Sequence, residues 1–295
     1  MSSARRSPDG RWPWLFVLPT FFGVLVFYFW PLLKTVYDSF TDTGPFGGST
    51  WVGAANYSEL IADTEVYRAI VNTVVYTAIV LLGIPLAVLF ASLLNRPGLR
   101  FAMVYRTLFF LPYVAMPTAI SLVWRIIYNG EYGILNQSLG VLGIDGPRWI
   151  STEWFALVAV ALLGLWMSIG FNMIVLSAGL KGIPGELYEA ASLDGAGRAQ
   201  QFRSITVPLL TPSIFFLSVI TTIAGFQLFD QLFALLGPEN PVMSKTQSLV
   251  FLFYSAAFDT NERGYAAAVA VLILAVVGLL TLFQFRLQRR WVTYD

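Results

Sequence analysis

The sequence predicts an all-α membrane protein of six spanning helices with a structured polar connector between the fourth and the fifth. Three observations carry that expectation. Of the 295 residues, 57% are hydrophobic and 12% charged, which is not the balance of a soluble globular domain. Six apolar stretches are each long enough to supply the roughly twenty residues that a bilayer core demands. The lysines and arginines also divide unequally. With both termini and the connector on one side, that side holds Arg5, Arg6, Arg11, Arg96, Arg100, Arg106, Lys181, Arg198, Arg203, Arg286, Arg289 and Arg290, which is 12 of the 18. The other side holds Lys34, Arg68, Arg125, Arg148, Lys245 and Arg263. The positive-inside rule therefore places both termini and the connector in the cytoplasm.

Residues 1–13 form a short polar tail, and no small-residue cleavage site follows the next apolar run, so an uncleaved anchor is expected. The first span covers 14–37, with Pro19 and Pro31 as kink points and Lys34 placed to snorkel at the far end. Residues 38–67 turn polar and glycine-rich. The second span, 69–94, leads through the tight basic turn 95–100 into a third at 104–128, and a turn that short pairs neighbouring helices antiparallel. Trp124 and Arg125 close the third span at an interface. A polar segment, 129–151, precedes the fourth span at 154–180. After the connector come a fifth span at 209–236, an external loop at 237–263 and a sixth span at 265–285. The expected organisation is thus a spanning domain over 14–285, containing the connector loop 182–208, with tails at 1–13 and 286–295.

The connector is patterned more closely than a loop needs to be. Gly182 suits a helix stop and Pro184 the first turn of a new helix, on which Leu187, Ala190, Ala191 and Asp194 fall at i, i+3, i+4 and i+7. Glu186 and Glu189 sit near its start, where acids suit the helix dipole. Asp194-Gly195 offers a turn, and Ala199, Phe202 and Ile205 mark a second short helix. Small side chains at Ala190, Ala191, Gly195 and Ala196 would let another protein approach the backbone, with Leu187, Tyr188 and Phe202 as anchors for a groove. An amphipathic linker lying on the bilayer surface is the competing explanation, although such helices favour basic residues and this one begins with acids. Pattern alone leaves both open.

Composition closes several chemistries. Zero cysteines exclude disulfides, thiol catalysis and cysteine–zinc clusters, and zero histidines remove the commonest metal ligand. No Gly-x-x-x-x-Gly-Lys-Ser/Thr run offers a cradle for nucleotide phosphates, and no Gly-x-Ser-x-Gly elbow or His-Glu-x-x-His helix occurs. A net charge of +1 without a basic, aromatic-interleaved stripe gives no case for nucleic acid.

The run Glu189-Ala190-Ala191, Asp194-Gly195-Ala196, Phe202, Ile205, Pro208-Leu209 and Pro212 resembles the EAA signature of binding-protein-dependent ABC importer permeases, with Val207 where that pattern usually has leucine. Trp51-Val52-Gly53 with Asn56-Tyr57, and Arg106 to Tyr113, are similar to stretches of the sugar-type permeases, so the resemblance covers nearly the whole chain. It implies a multi-pass permease of a bacterial-type inner membrane, similar to maltose and glycerol-3-phosphate permeases. The implied partners are a second related permease, two ATP-binding subunits and an extracytoplasmic solute-binding protein, docking on the loops that begin at Asp38 and Gly237. The chain itself would bind no cofactor, ATP and Mg being used by the partner. The connector would be the coupling helix, carried by Glu189, Ala190, Ala191, Asp194, Gly195, Ala196, Phe202 and Pro208. Glu189 would pair with a basic residue or cap a backbone group of the ATPase, unless it is simply solvated. Gly195 would serve conformation rather than contact.

For the solute path the candidates are Gln227, Asp230 and Gln231, with Asn72, Asn172 and Thr73 behind them, because polar groups in a spanning helix generally face the bundle interior or a water cavity. On a straight helix from Leu209, Asp230 lies about 30 Å along the axis, at the outer edge of the hydrocarbon, where an interfacial charge is the readier explanation. The aromatic residues divide in the same way between sugar stacking and interfacial belts. Two other classes compete with the permease: a secondary transporter driven by an ion gradient, and a membrane scaffold that moves nothing. The first is disfavoured because no acid or histidine sits at mid-depth in any span and the two halves show no repeat.

Overall fold

The computed structural model describes residues 12–44, 48–96 and 98–292. Arg5, Arg6 and Arg11, which enter the charge asymmetry, and the last three residues of the C-terminal tail lie outside the described residues. The chain divides into two compact units, Met1–Ala62 with Phe253–Leu272 and Asp63–Leu252 with Ile273–Asp295.

In the first unit, α1 (Leu15–Asp38) is predominantly apolar and exposes its large side chains, Phe16, Phe27 and Trp30 among them. A π-helical turn at Leu25–Phe29 lies upstream of Pro31, which cannot donate a backbone bond. The polar segment that follows is not loose. Strands β1 (Thr41–Thr43) and β2 (Ser49–Trp51) pair antiparallel, Thr41 opposite Trp51. The short helix α2 (Ala55–Ala62) supplies Asn56, whose Nδ2 donates to the Ser39 and Thr41 carbonyls at 2.9 and 3.0 Å. These short strands form the one sheet among the described residues.

The second unit is built on α7 (Glu153–Lys181), which packs against α3 (Thr64–Leu94) along both its halves and against α4 (Ala102–Val114). Apolar burial gives little drive between helices in lipid, so close backbone approach and dispersion must hold such a bundle. Glycine supplies that approach: a Cβ at Gly164 would overlap the Tyr76 hydroxyl, and one at Gly170 would overlap the Phe109 carbonyl. Helix α3 turns slightly at Leu82, three residues before Pro85.

Among the described residues four helices are long and apolar enough to cross a membrane, and counting each of two bent pairs as one span brings the number to six. Helices α4 and α5 (Pro117–Ile127) meet at 98°. Ala115 and Met116 are extended there, as the residue before a proline tends to be, and Pro117 starts the new helix. Between them and α7 lies α6 (Ile134–Val141). The loop beyond α6 is tied by Asn136, which donates to the Gly130 and Pro147 carbonyls and accepts from Trp149 Nε1 at 2.7 Å.

The connector contains α8 (Gly185–Leu193) and runs into α9 (Arg198–Leu209), which meets α10 (Thr211–Phe226) at 63°. Pro212, in the first turn of α10, has no N–H to continue the ladder across that bend. The fifth span differs from the sequence expectation at its far end. Helix α10 stops at Phe226, the chain breaks over Gln227–Phe229, and a separate helix α11 (Asp230–Leu236) follows. An axial distance from Leu209 to Asp230 therefore has no meaning. The loop after it holds α12 (Met243–Thr246) and α13 (Leu249–Asp259), and α14 (Arg263–Trp291) closes the chain.

Candidate functional site

Two places in the second unit concentrate the candidate residues. The first is the connector. Its leading helix starts one residue later than the pattern predicts, with Pro184 at the N-cap. It ends where the pattern places the turn. Gly195 has φ +81°, the Gly195 N–H bonds the Ser192 carbonyl at 3.1 Å, and the Ala196 N–H bonds the Ala191 carbonyl at 2.8 Å. That pair of bonds is the Schellman termination, which needs a left-handed residue where Gly195 stands. The glycine thus serves the bend, and space is not the reason: a Cβ there would meet nothing within 4 Å.

Glu189, Ala190, Asp194 and Gly195 are exposed, while Ala191, Ala196, Phe202 and Pro208 are half-buried. Glu189 makes no ion pair among the described residues. The three apolar anchors separate. Leu187 is 43% exposed and available. Phe202 instead packs on the core around Leu210, Met173 and Ile84, and the Tyr188 hydroxyl lies 3.0 Å from Thr206 Oγ1, so both hold the connector to its own protein. The sequence reading missed Leu193, which is 90% exposed at the end of α8. Its signal was available, because a leucine one residue before a polar turn has no neighbouring turn of helix to cover it.

The second place is a half-open cavity of about 270 Å³ lined by α3, α4, α5, α7, α10 and α11, close to the roughly 300 Å³ lower end of small-molecule sites. The break at Gln227–Phe229 opens onto it. Gln227, Asp230, Gln231 and Asn172 line it together, whereas Asn72 does not. The Asn72 amide is spent elsewhere, donating to the Lys245 and Gln247 carbonyls at 2.9 and 3.0 Å. Thr73 likewise accepts the Leu249 N–H at 3.1 Å. These two tie α3 to the segment 245–249, from the end of α12 to the start of α13.

Asn172 is 2% exposed, and its Nδ2 is buried with no hydrogen-bond partner. Such a donor costs about 1–3 kcal/mol if nothing accepts from it. Gln231 is oriented by Tyr76, whose phenol donates to Oε1 at 2.6 Å, and its Nε2 lies 3.7 Å from Met167 Sδ, a weak acceptor that leaves its second N–H for another partner. One wall is aromatic: Tyr113 and Phe171 stack with centroids 4.8 Å apart. Among the described residues, Asp230 is the one carboxylate that lines the cavity, and no lysine or arginine does. Tyr76 and Tyr113 were not singled out from the sequence. Tyr76 follows Asn72 at i+4 on the face that α3 buries, a spacing that identifies it.

Residues 66–294 match the model of the binding-protein-dependent transport system inner membrane component. The multiple sugar-binding transport system permease protein MsmF of Streptococcus mutans is 32% identical over 97% of this chain and 98% of its own length. The sn-glycerol-3-phosphate transport system permease protein UgpA of Agrobacterium fabrum is 34% identical over 97% of this chain and 98% of its own. The fold is similar to that of a chain in the crystal structure of a bacterial ABC transporter involved in the import of the acidic polysaccharide alginate. The TM-score is 0.84 at 24% identity, covering 96% of this chain and 97% of that one.

Proposed function

The chain belongs to the binding-protein-dependent transport system inner membrane components, the permease subunits of ABC importers, and from that premise we propose that it carries a neutral carbohydrate through the cavity beside Asn172. It is a non-catalytic membrane subunit. Its solute would enter from an extracytoplasmic binding protein, pass along a path shared with a second, related permease, and be driven by two ATP-binding subunits that bind and hydrolyse MgATP. The distribution of lysine and arginine supports a connector and termini on the cytoplasmic side.

One observation carries the solute class. The cavity combines an unpaired buried amide donor at Asn172, an oriented amide at Gln231, one carboxylate at Asp230 and the Tyr113–Phe171 wall, without a cation. Sugar hydroxyls accept from amides and donate to a carboxylate, while their C–H faces pack on aromatic rings. A phosphorylated glycerol would bring negative charge to a wall whose one acidic or basic side chain among the described residues is the carboxyl of Asp230, with no lysine or arginine there to neutralise it.

At the connector, Glu189, Ala190, Ala191, Asp194, Gly195 and Ala196, with Leu193 at the tip, form the surface offered to the ATP-binding subunit, and Phe202 and Pro208 transmit its movement to the spanning helices. The cavity residues Gln227, Asp230, Gln231 and Asn172 are the contacts to solute. Mass spectrometry of the small molecule that copurifies with the cognate binding protein tests the class. A neutral mono- or oligosaccharide is expected, and a phosphorylated or other anionic solute would overturn it.

A further inference from the structure

Helix α8 has no buried residue. It is nine residues long, short of the about 12–15 at which an isolated helix becomes even marginally stable in water. Neither core packing nor intrinsic propensity holds it in shape, so the stiffness of the connector must come from bonds within it. Much of that bonding converges on one side chain outside the quoted signature. Gln201, in the first turn of α9, turns its amide back across the bend: Nε2 lies 2.9 Å from Ser192 Oγ, 3.1 Å from the Ala196 carbonyl and 3.5 Å from the Tyr188 carbonyl. Ser192 donates its own proton to the Tyr188 carbonyl at 2.8 Å, which leaves its lone pairs to accept from Gln201. One amide therefore bridges α8, the Gly195 bend and α9. The Tyr188–Thr206 hydroxyl contact at 3.0 Å is a second tie in the same direction, one helical turn further along α9.

We infer that Gln201 is a positioning residue for energy coupling: its amide staples α8 to α9, so that displacement of α8 by the ATP-binding subunit reaches α10 instead of being lost in bending at Gly195. The inference rests on the proposed coupling role of the connector. All three groups that Gln201 meets can accept, so donors are required and a carboxylate of the same shape would be repelled by the two carbonyls.

The test uses the purified importer complex in nanodiscs. Gln201→Glu should speed amide hydrogen exchange across residues 186–196 about tenfold in the nucleotide-free complex. It should also cut the stimulation of MgATP hydrolysis by the loaded binding protein several-fold. Gln201→Lys, which keeps the donors, should stay within about twofold of wild type in both, and Gln201→Ala should fall between them. Wild-type exchange in Gln201→Glu overturns the inference, and so does faster exchange with undiminished stimulation. Equal losses in the Glu and Lys variants with unchanged exchange also overturn it, by making Gln201 a contact to the partner. A separate Leu193→Asp complex guards the premise: if it keeps its ATP-binding subunits and full stimulation, the coupling reading of the connector fails, whatever Gln201 does.

Discussion

The phenol of Tyr76 on α3 donates to Gln231 Oε1 on α11 at 2.6 Å, and this bond fixes which edge of the amide remains for the cavity. Removing the hydroxyl frees the amide to turn. Tyr76→Phe is expected to raise the KM for ATP-driven uptake into proteoliposomes about five- to tenfold with a smaller change in maximal rate, since the lost interaction is a hydrogen bond of about 1 kcal/mol. An unchanged KM would leave Gln231 as packing.

The same phenol leans on Gly164 of α7, where a Cβ has no room. Gly164→Ala should lower stability by about 1–3 kcal/mol through overpacking, read as a fall in the thermal midpoint in detergent. Adding Tyr76→Phe should recover part of the loss, because the clash is with the hydroxyl. Strictly additive losses in the double variant would contradict this packing.

At the bend, the requirement is backbone conformation and not space. Gly195→Ala should therefore weaken coupling by about 1 kcal/mol through the left-handed φ alone, and Gly195→Asn should be milder because asparagine tolerates that region. A bulky residue such as tryptophan should detach the ATPase or uncouple hydrolysis from uptake. Binding-protein-stimulated ATPase and uptake measured together report it. An Asn variant as damaged as the Trp variant would mean that contact, not conformation, dominates.

The spans were legible because apolar length and charge placement are properties of the chain itself. The Gly195 turn was legible because the Asp-Gly pair announces it. The broken end of the fifth span was not, since Leu228 and Phe229 continue the apolar pattern and no proline marks the break. That break is what gathers Gln227, Asp230 and Gln231 at a cavity instead of along one helix. Asn72 and Asn172 look alike in sequence, each a lone amide in an apolar run. They diverge because the Lys245 and Gln247 carbonyls take the donors of Asn72, while among the described residues nothing accepts from Asn172 Nδ2. Leu187, Tyr188 and Phe202 could not be sorted into outward and inward anchors without knowing where α9 folds back.

Coupling as proposed requires the connector to meet a separate ATP-binding subunit in the cytoplasm. The chain has no cysteine, so Leu193→Cys gives a single thiol at the exposed tip of α8. In intact membranes this thiol should resist a membrane-impermeant maleimide added from outside and crosslink to the ATP-binding subunit in a yield that changes when ATP is supplied. Labelling from outside, or a thiol that is accessible from inside yet crosslinks to no ATP-binding subunit, would contradict the account.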